Sequence, residues 1–254
     1  MVPKLYYFSL SHPARAARLM LEHKGIEYER KDLLPGFHPV QLRLAGFDGI
    51  TVPALEIDGR QVQGTLEIAR SLEEMRLEPS LYPADPAHRE AVAAAERWGE
   101  AVFQPVPRRI FRWVLRRDGD LRLLLAKAMG MPVPQLAAAA NLPVAGLLGV
   151  ASGSTAEVVR GDLAQLPSLL DHVDSLIEDG TIGSEPRTAA DYQILTTVQA
   201  LATFIPLRPL LEGRPAFEHA LRVDSQWKDR PMPADIPPEW IPSPYLPAEQ
   251  GVLT

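Results

Sequence analysis

The chain contains no cysteine among its 254 residues. That absence excludes disulfide staples, thiolate metal sites, a Cys-x-x-Cys redox pair and a cysteine nucleophile, so any sulfur chemistry must use a sulfur that arrives on a ligand. No metal centre is expected. Long apolar runs are missing as well: nothing approaches the roughly 18 or more consecutive apolar residues of a membrane span. The first residues, MVPKLYYFSL, lead directly into SHPARAARLM, with neither the long apolar stretch nor the small-residue cleavage site of a secretory leader. A cytoplasmic location without membrane contact is the expectation. Positive charge is outweighed, 26 Lys and Arg against 32 Asp and Glu for a net of −6, which argues against a surface made to lie along nucleic-acid phosphates. Apolar residues are plentiful at 46%, enough for a sizeable core, and the length suits two modest domains.

The punctuation of the sequence divides it into elements. Lys4 to Phe8 is a short aromatic and apolar run that reads as a strand, and Ser9-Leu10-Ser11-His12-Pro13 follows it as a loop opening a helix over 14–23. Gly25 stands where that helix stops. Residues 26–33 alternate apolar and polar positions, the period of a half-buried strand, so a parallel βαβ unit is expected. A Pro- and Gly-rich loop over 34–49 precedes two short runs, 52–57 and 60–63, flanking Asp58-Gly59, a strong hairpin signal. A helix over 66–75 follows, with Thr65 as its N-cap candidate. Pro79 to Pro86 is dense in turn formers and reads as a linker.

Beyond it the periodicity is helical. Residues 88–115 form a long amphipathic stretch that must kink at Gln104-Pro105-Val106-Pro107, and 155–178 form another. Residues 191–204 carry no charge after Asp191 and are rich in apolar residues, as a buried central helix requires. The stretch 118–154 accommodates one or two helices, and the Pro-rich segment from Arg230 is expected to wrap the surface without regular structure.

The order of these elements, together with KLYYFSLSHPARAARLMLEHKG (4–25), Thr51-Val52-Pro53-Ala54-Leu55, Gln63-Gly64-Thr65-Leu66-Glu67-Ile68-Ala69 and Gly183 to Asp191, resembles the soluble glutathione transferases, with a tyrosine-type N-terminal motif like that of bacterial members. The resemblance implies an α/β plus all-α fold. A thioredoxin-like βαβββα, glutathione-binding domain would span 1–78, a linker 79–86, an all-helical bundle domain 87–229 and a Pro-rich tail 230–254. In the last motif Thr188 and Asp191 have the spacing of a capping box that starts the buried helix.

The same resemblance implies an enzyme that takes glutathione as co-substrate and turns its thiol on an electrophilic small molecule, a detoxification role in a homodimer. A free thiol ionises with a pKa of about 8.5, so donors aimed at the sulfur raise the reactive thiolate fraction at neutral pH. Tyr7 falls on the family's catalytic tyrosine, with Ser11 and then Ser9 as the alternative hydroxyls. Thr51, Val52 and Pro53 match the turn whose backbone pairs with the ligand. Gly64 and Thr65 match the polar pair at its γ-glutamyl end, although relatives carry Gln or Glu where this chain has Gly64. His38 or Arg43 would meet the glycyl carboxylate, and Arg15 and Arg18 lie near enough in sequence to contribute, Arg18 more as a structural ion pair. Arg108, Arg112 and Trp113 would line the electrophile pocket, a mixture of cationic heads and apolar bulk suited to an anionic aromatic molecule. Two other readings stay open: a non-catalytic ligand-binding or protein-interaction member, favoured by Gly64, and a glutathione-dependent isomerase or reductase.

Overall fold

In the computed structural model, residues 2–34, 37–128, 133–136, 139 and 153–245 are described. The first strand, β1 (Lys4–Tyr7), ends in a turn closed by the Ser11 N–H on the Phe8 carbonyl, and Ser11 then caps α1 (His12–His23) by accepting from the Ala14 N–H. Pro13 in the first turn has no N–H to leave unsatisfied, which is why the helix starts there. Gly25, at φ 58°, ends it.

The chain returns in β2 (Glu29–Asp32), passes α2 (His38–Leu44), and forms the hairpin β3 (Ala54–Ile57) and β4 (Arg60–Gln63). Asp58 and Gly59 both take positive φ, as the tight turn demands. The sheet order is β2-β1-β3-β4, with β1 parallel to β2 and antiparallel to β3. Three expectations change here. The second strand is shorter than residues 26–33, and all four of its residues are exposed; its Lys31 and Arg30 pair with Glu29 and Asp32 along an edge that charge protects from pairing. The loop over 34–49 contains the short helix α2, whose Leu42 packs with Leu33, Phe47 and Ala54 in a small separate core. Helix α3 (Thr65–Met75) has Gly64 as its N-cap, so Thr65 is already helical and does not cap.

Helix α4 (Pro86–Trp98) runs through one π-helical turn, Gly99–Phe103, into α5 (Pro105–Arg117) and α6 (Gly119–Ala128). The break expected around residues 104–107 is thus a wide turn at 99–103, followed by Pro105 in the first turn of the next helix. Part of the ambiguous stretch 118–154 lies outside the described residues. Helix α7 (Ala156–Glu178) is capped by Thr155, and α8 (Ala189–Ala202) is buried on nearly every side. Its start is a full capping box: the Asp191 carboxylate accepts from the backbone N–H and the hydroxyl of Thr188 at 2.8 Å each and from the Gly183 N–H at 2.7 Å. Helix α9 (Pro215–Val223) packs on α8.

Helix α1 joins the sheet to the helical part, packing against α3 on one side and α8 on the other. One continuous apolar cluster accordingly runs from Leu5 and Tyr7 through α1 to Leu195 and Leu201. After α9 the chain wraps back, with Ile236 buried and Trp240 against Trp113 at 5.2 Å between ring centres. Among the described residues no helix is long and apolar enough to cross a membrane.

Candidate active site

A cavity of about 750 Å³ opens between the end of β1, the start of α1, the Thr51-Val52 turn, α5 and the segment 224–232. Strand alternation builds its floor: Leu5 and Tyr7 point toward α1, while Tyr6 points the other way onto Phe47. Tyr7 is 6% exposed and faces the cavity with Ser9 and Ser11, and the Arg30 guanidinium lies 5.2 Å from its ring centre. The Tyr7 hydroxyl has no hydrogen-bond partner among the described residues, so it is free to donate to something in the cavity. Ser11 is held by its capping bond to Ala14, whereas Ser9 is exposed and uncommitted. The Val52–Pro53 peptide is cis. Thr51 and Val52 line the cavity; Pro53 is buried behind them.

The wall opposite is cationic. Arg108 and Arg112 stand one turn apart on α5, with Phe111 and Leu115 on the same face. Neither makes a hydrogen bond or an ion pair with any described residue. Burial lowers the pKa of both, and the Arg108 charge lowers that of Arg112 further. His12, 5% exposed, is held well below the usual histidine range by burial and by Arg15 and Arg108, and its buried Nε2 has no partner. His38, at the first turn of α2, is lowered by burial and by Arg112. Arg15, lowered by burial, feels the Asp224 carboxylate and, more weakly, the phenol of Tyr7, both of which oppose that lowering. The groups Tyr7, Arg15, His12, Arg108, Arg112 and His38 thus form one electrostatic neighbourhood.

Several residues singled out from the sequence lie elsewhere. Trp113 is 2% exposed and belongs to the core face of α5, under Arg117 at 4.9 Å, because it sits about 100° around the helix from Arg112. Arg43 is exposed on α2 and does not reach the cavity. Gly64 and Thr65 are outside it too: Thr65 is fully buried, and its hydroxyl donates to Gln104 at 3.1 Å. The N-terminus of α3 is already occupied by Glu100, whose carboxylate accepts from the Leu66 N–H at 2.9 Å. A Cβ on residue 64 would come within 3.2 Å of Glu100 Oε1. Arg18 takes the structural role expected of it, bonded to Asp224 at 2.6 Å and to Glu22 at 2.8 Å. Glu100 and His12 carried no motif of their own. The one signal available was Gly64, a missing side chain that something had to replace.

Residues 5–80 match the family model of the glutathione S-transferase N-terminal domain. No curated protein sequence matches the chain. Among solved structures, a glutathione S-transferase from Rhodospirillum rubrum F11 is similar at TM-score 0.56 and 21% identity, over 91% of this chain and 96% of that one. Maleylacetoacetate isomerase from Anaeromyxobacter dehalogenans 2CP-1, with glutathione bound in its active site, is similar at TM-score 0.53 and 21% identity, over 90% and 92%. A glutathione S-transferase from the Antarctic clam Laternula elliptica is similar at TM-score 0.54 and 19% identity, over 94% of each chain. With a four-stranded mixed sheet followed by helices over nearly the full length of these structures, the chain has the glutathione-transferase fold, and the family-model match is confined to residues 5–80.

Proposed function

We propose that the chain is a glutathione-transferase-like enzyme in which a low-molecular-weight thiol, glutathione or a close analogue, lies along the Val52 edge and attacks an electrophile held against α5. The observation that carries this reading is the free Tyr7 hydroxyl, which shares one cavity with the Val52 edge and the start of α1. A thiolate there would accept from Tyr7 and feel the partial positive charge of the α1 N-terminus, both of which favour the anion. Each pKa unit by which the thiol is lowered corresponds to about 1.36 kcal/mol of preference for the anion. Ser9 is the second donor within the same turn.

The division at residues 79–86, a homodimer and a cytoplasmic detoxification role follow from the family likeness and belong to the same proposal. A solution mass of twice 28.0 kDa is expected. The test is a glutathione titration coupled to conjugation of a generic aryl halide. Tyr7→Phe should lower the rate about 10- to 1000-fold, the loss of one donor to a developing anion, with little change in thiol affinity. An unchanged rate would transfer the role to Ser9 or Ser11. Absence of thiol binding at millimolar concentration would leave the non-catalytic reading, which Gly64 and Glu100 favour.

A further inference from the structure

We infer that the α5 side of the cavity is a binding site for an organic dianion, an apolar body with two negative groups held among Arg15, Arg108 and Arg112. The inference rests on the proposed function only in taking the dianion to be the electrophile; the binding itself does not depend on a thiol.

Some of the cations around the cavity are already neutralised. Arg18 is paired with Asp224 and Glu22, and Arg30 with Asp32; Arg122 has no ion pair among the described residues, and it donates to the carbonyls of Leu115 and Arg116 at 2.7 and 2.9 Å while its buried Nε is unpartnered. Arg15 has only a 3.4 Å contact to the Thr196 carbonyl, and its buried Nε is unpartnered. The half-buried Arg108 and Arg112 make no hydrogen bond or ion pair among the described residues, although the Glu100 carboxylate acts on Arg108, whereas the neighbouring Arg109 is fully engaged by Asp162 at 2.6 Å. Asp224, already committed to Arg18, is the sole carboxylate among the described lining residues. Guanidiniums withdrawn from water are normally paired, because the desolvation cost is otherwise uncompensated. Here two of them also repel each other across one helical turn. Among the described residues no carboxylate hydrogen-bonds to Arg108 or Arg112, so an anionic ligand would supply the counter-charge they lack.

Shape and charge select its class. The cavity holds about 750 Å³, far more than an inorganic anion fills, and Phe8, Leu10, Phe111, Leu115, Leu124 and Phe204 supply an apolar lining. A chain of net charge −6 does not suit a nucleic-acid strand. Arg15 on α1 with Arg108 and Arg112 on α5, and the exposed Lys228 and Arg230 also in the lining, suit two separated anionic groups better than one. His12 and His38 lie beside them with an unpartnered ring nitrogen each. Carboxylate, sulfonate and phosphate groups share the acceptor chemistry that guanidinium forks read.

Thiol-free calorimetric titration of the full chain with naphthalene-2,6-dicarboxylate, naphthalene-2,6-disulfonate and the neutral naphthalene-2,6-dimethanol tests the inference. The dicarboxylate should bind at least about ten-fold more tightly than the diol, equivalent to about 1.4 kcal/mol. Arg112→Gln should remove most of that difference, and Arg112→Lys should retain part of it. The disulfonate arm separates a general dianion site from one that requires planar carboxylates. Because Arg108 and Arg112 repel each other, Arg112→Gln should melt no lower than the parent without ligand, so loss of binding will not reflect misfolding. Equal affinity for dianion and diol, or binding unchanged by Arg112→Gln in a folded protein, would overturn the inference. Dianion binding without glutathione binding would retain this site and remove the transferase reading. Glutathione binding without dianion binding would do the reverse.

Discussion

Glu100 occupies a place that an incoming carboxylate would need. Its Oε2 accepts the Leu66 N–H in the first turn of α3, where free N–H groups and the helix dipole both attract negative charge. A second carboxylate brought to the same turn meets like-charge repulsion as well as a hydrogen bond already made. Gly64 fits this arrangement twice over: its φ of 91° is strained for any residue with a side chain, and a Cβ would crowd Glu100 Oε1 at 3.2 Å. Gly64 and Glu100 are thus a matched pair, and the absent Gln or Glu at 64 is no isolated loss. Glu100→Gln keeps an acceptor for the Leu66 N–H while removing the charge. Glutathione affinity, followed by quenching of intrinsic tryptophan fluorescence, should then rise about ten-fold, the scale of one relieved like-charge contact. No rise would mean that the amino-acid end of the thiol ligand stays away from α3.

Helix α4 is fastened to the segment before it through one acidic side chain. Tyr82 donates to Glu96 Oε2 at 2.8 Å, while Glu96 Oε1 is buried without a partner. Burial pushes the Glu96 carboxyl up from 4.5 to about 7, against the pull of Tyr82 and Arg70. The folded chain therefore holds a proton that the unfolded chain releases earlier. This contribution to stability is whole below about pH 4.5 and is lost as the pH rises through about 7. The full loss is about 3 kcal/mol. Glu96→Gln keeps the acceptor for Tyr82, so urea melts should show a gain of under about 1 kcal/mol at pH 5 and about 3 kcal/mol at pH 8.5. Equal gains at the two pH values would indicate an effect of packing and not of ionisation. Elements held by local chemistry of this kind are the ones legible in the sequence: the Ser11 cap with Pro13, the Asp58-Gly59 turn, and Thr188 with Asp191. Helix α2 and the π-helical turn were not legible, because distant contacts set them; a Cβ on Gly99 would come within 2.7 Å of Gln193 Oε1. The site divides the same way. Tyr7, Val52, Arg108 and Arg112 are where adjacent residues place them, whereas Thr65 is claimed by Gln104 and Trp113 by the core face of its own helix.

On the scale of the whole molecule, the cavity is closed by chain that has already crossed the helical part and returned. Asp224, just past α9, bonds Arg18 of α1 at 2.6 Å with both side chains buried, and residues 226–232 continue along the cavity from there. The far end of that wall is independently pinned: the Met232 N–H donates to the Thr203 carbonyl at 2.6 Å, the Ile205 N–H donates to the Met232 carbonyl at 3.1 Å, and Arg208 pairs with Asp229. Asp224→Ala therefore sets two effects against each other. It removes the buried partner of Arg18, which costs about 3 kcal/mol, moderated by the remaining bond to Glu22. It also raises by one the net charge of a cavity that is already cationic, since Arg18 then has only Glu22 as its acidic partner among the described residues. At the effective dielectric of a partly buried site, a unit charge at contact distance is worth about 4 kcal/mol to an anion. Loosening of the wall is limited by the pins at 203–205 and 229, so charge should dominate. Without ligand the variant should melt below the parent; with naphthalene-2,6-dicarboxylate its melting temperature should rise by more than the parent's does, as the dianion takes over the pairing that Asp224 supplied. A smaller rise in the variant would mean that Asp224 serves the cavity chiefly by holding its wall in place.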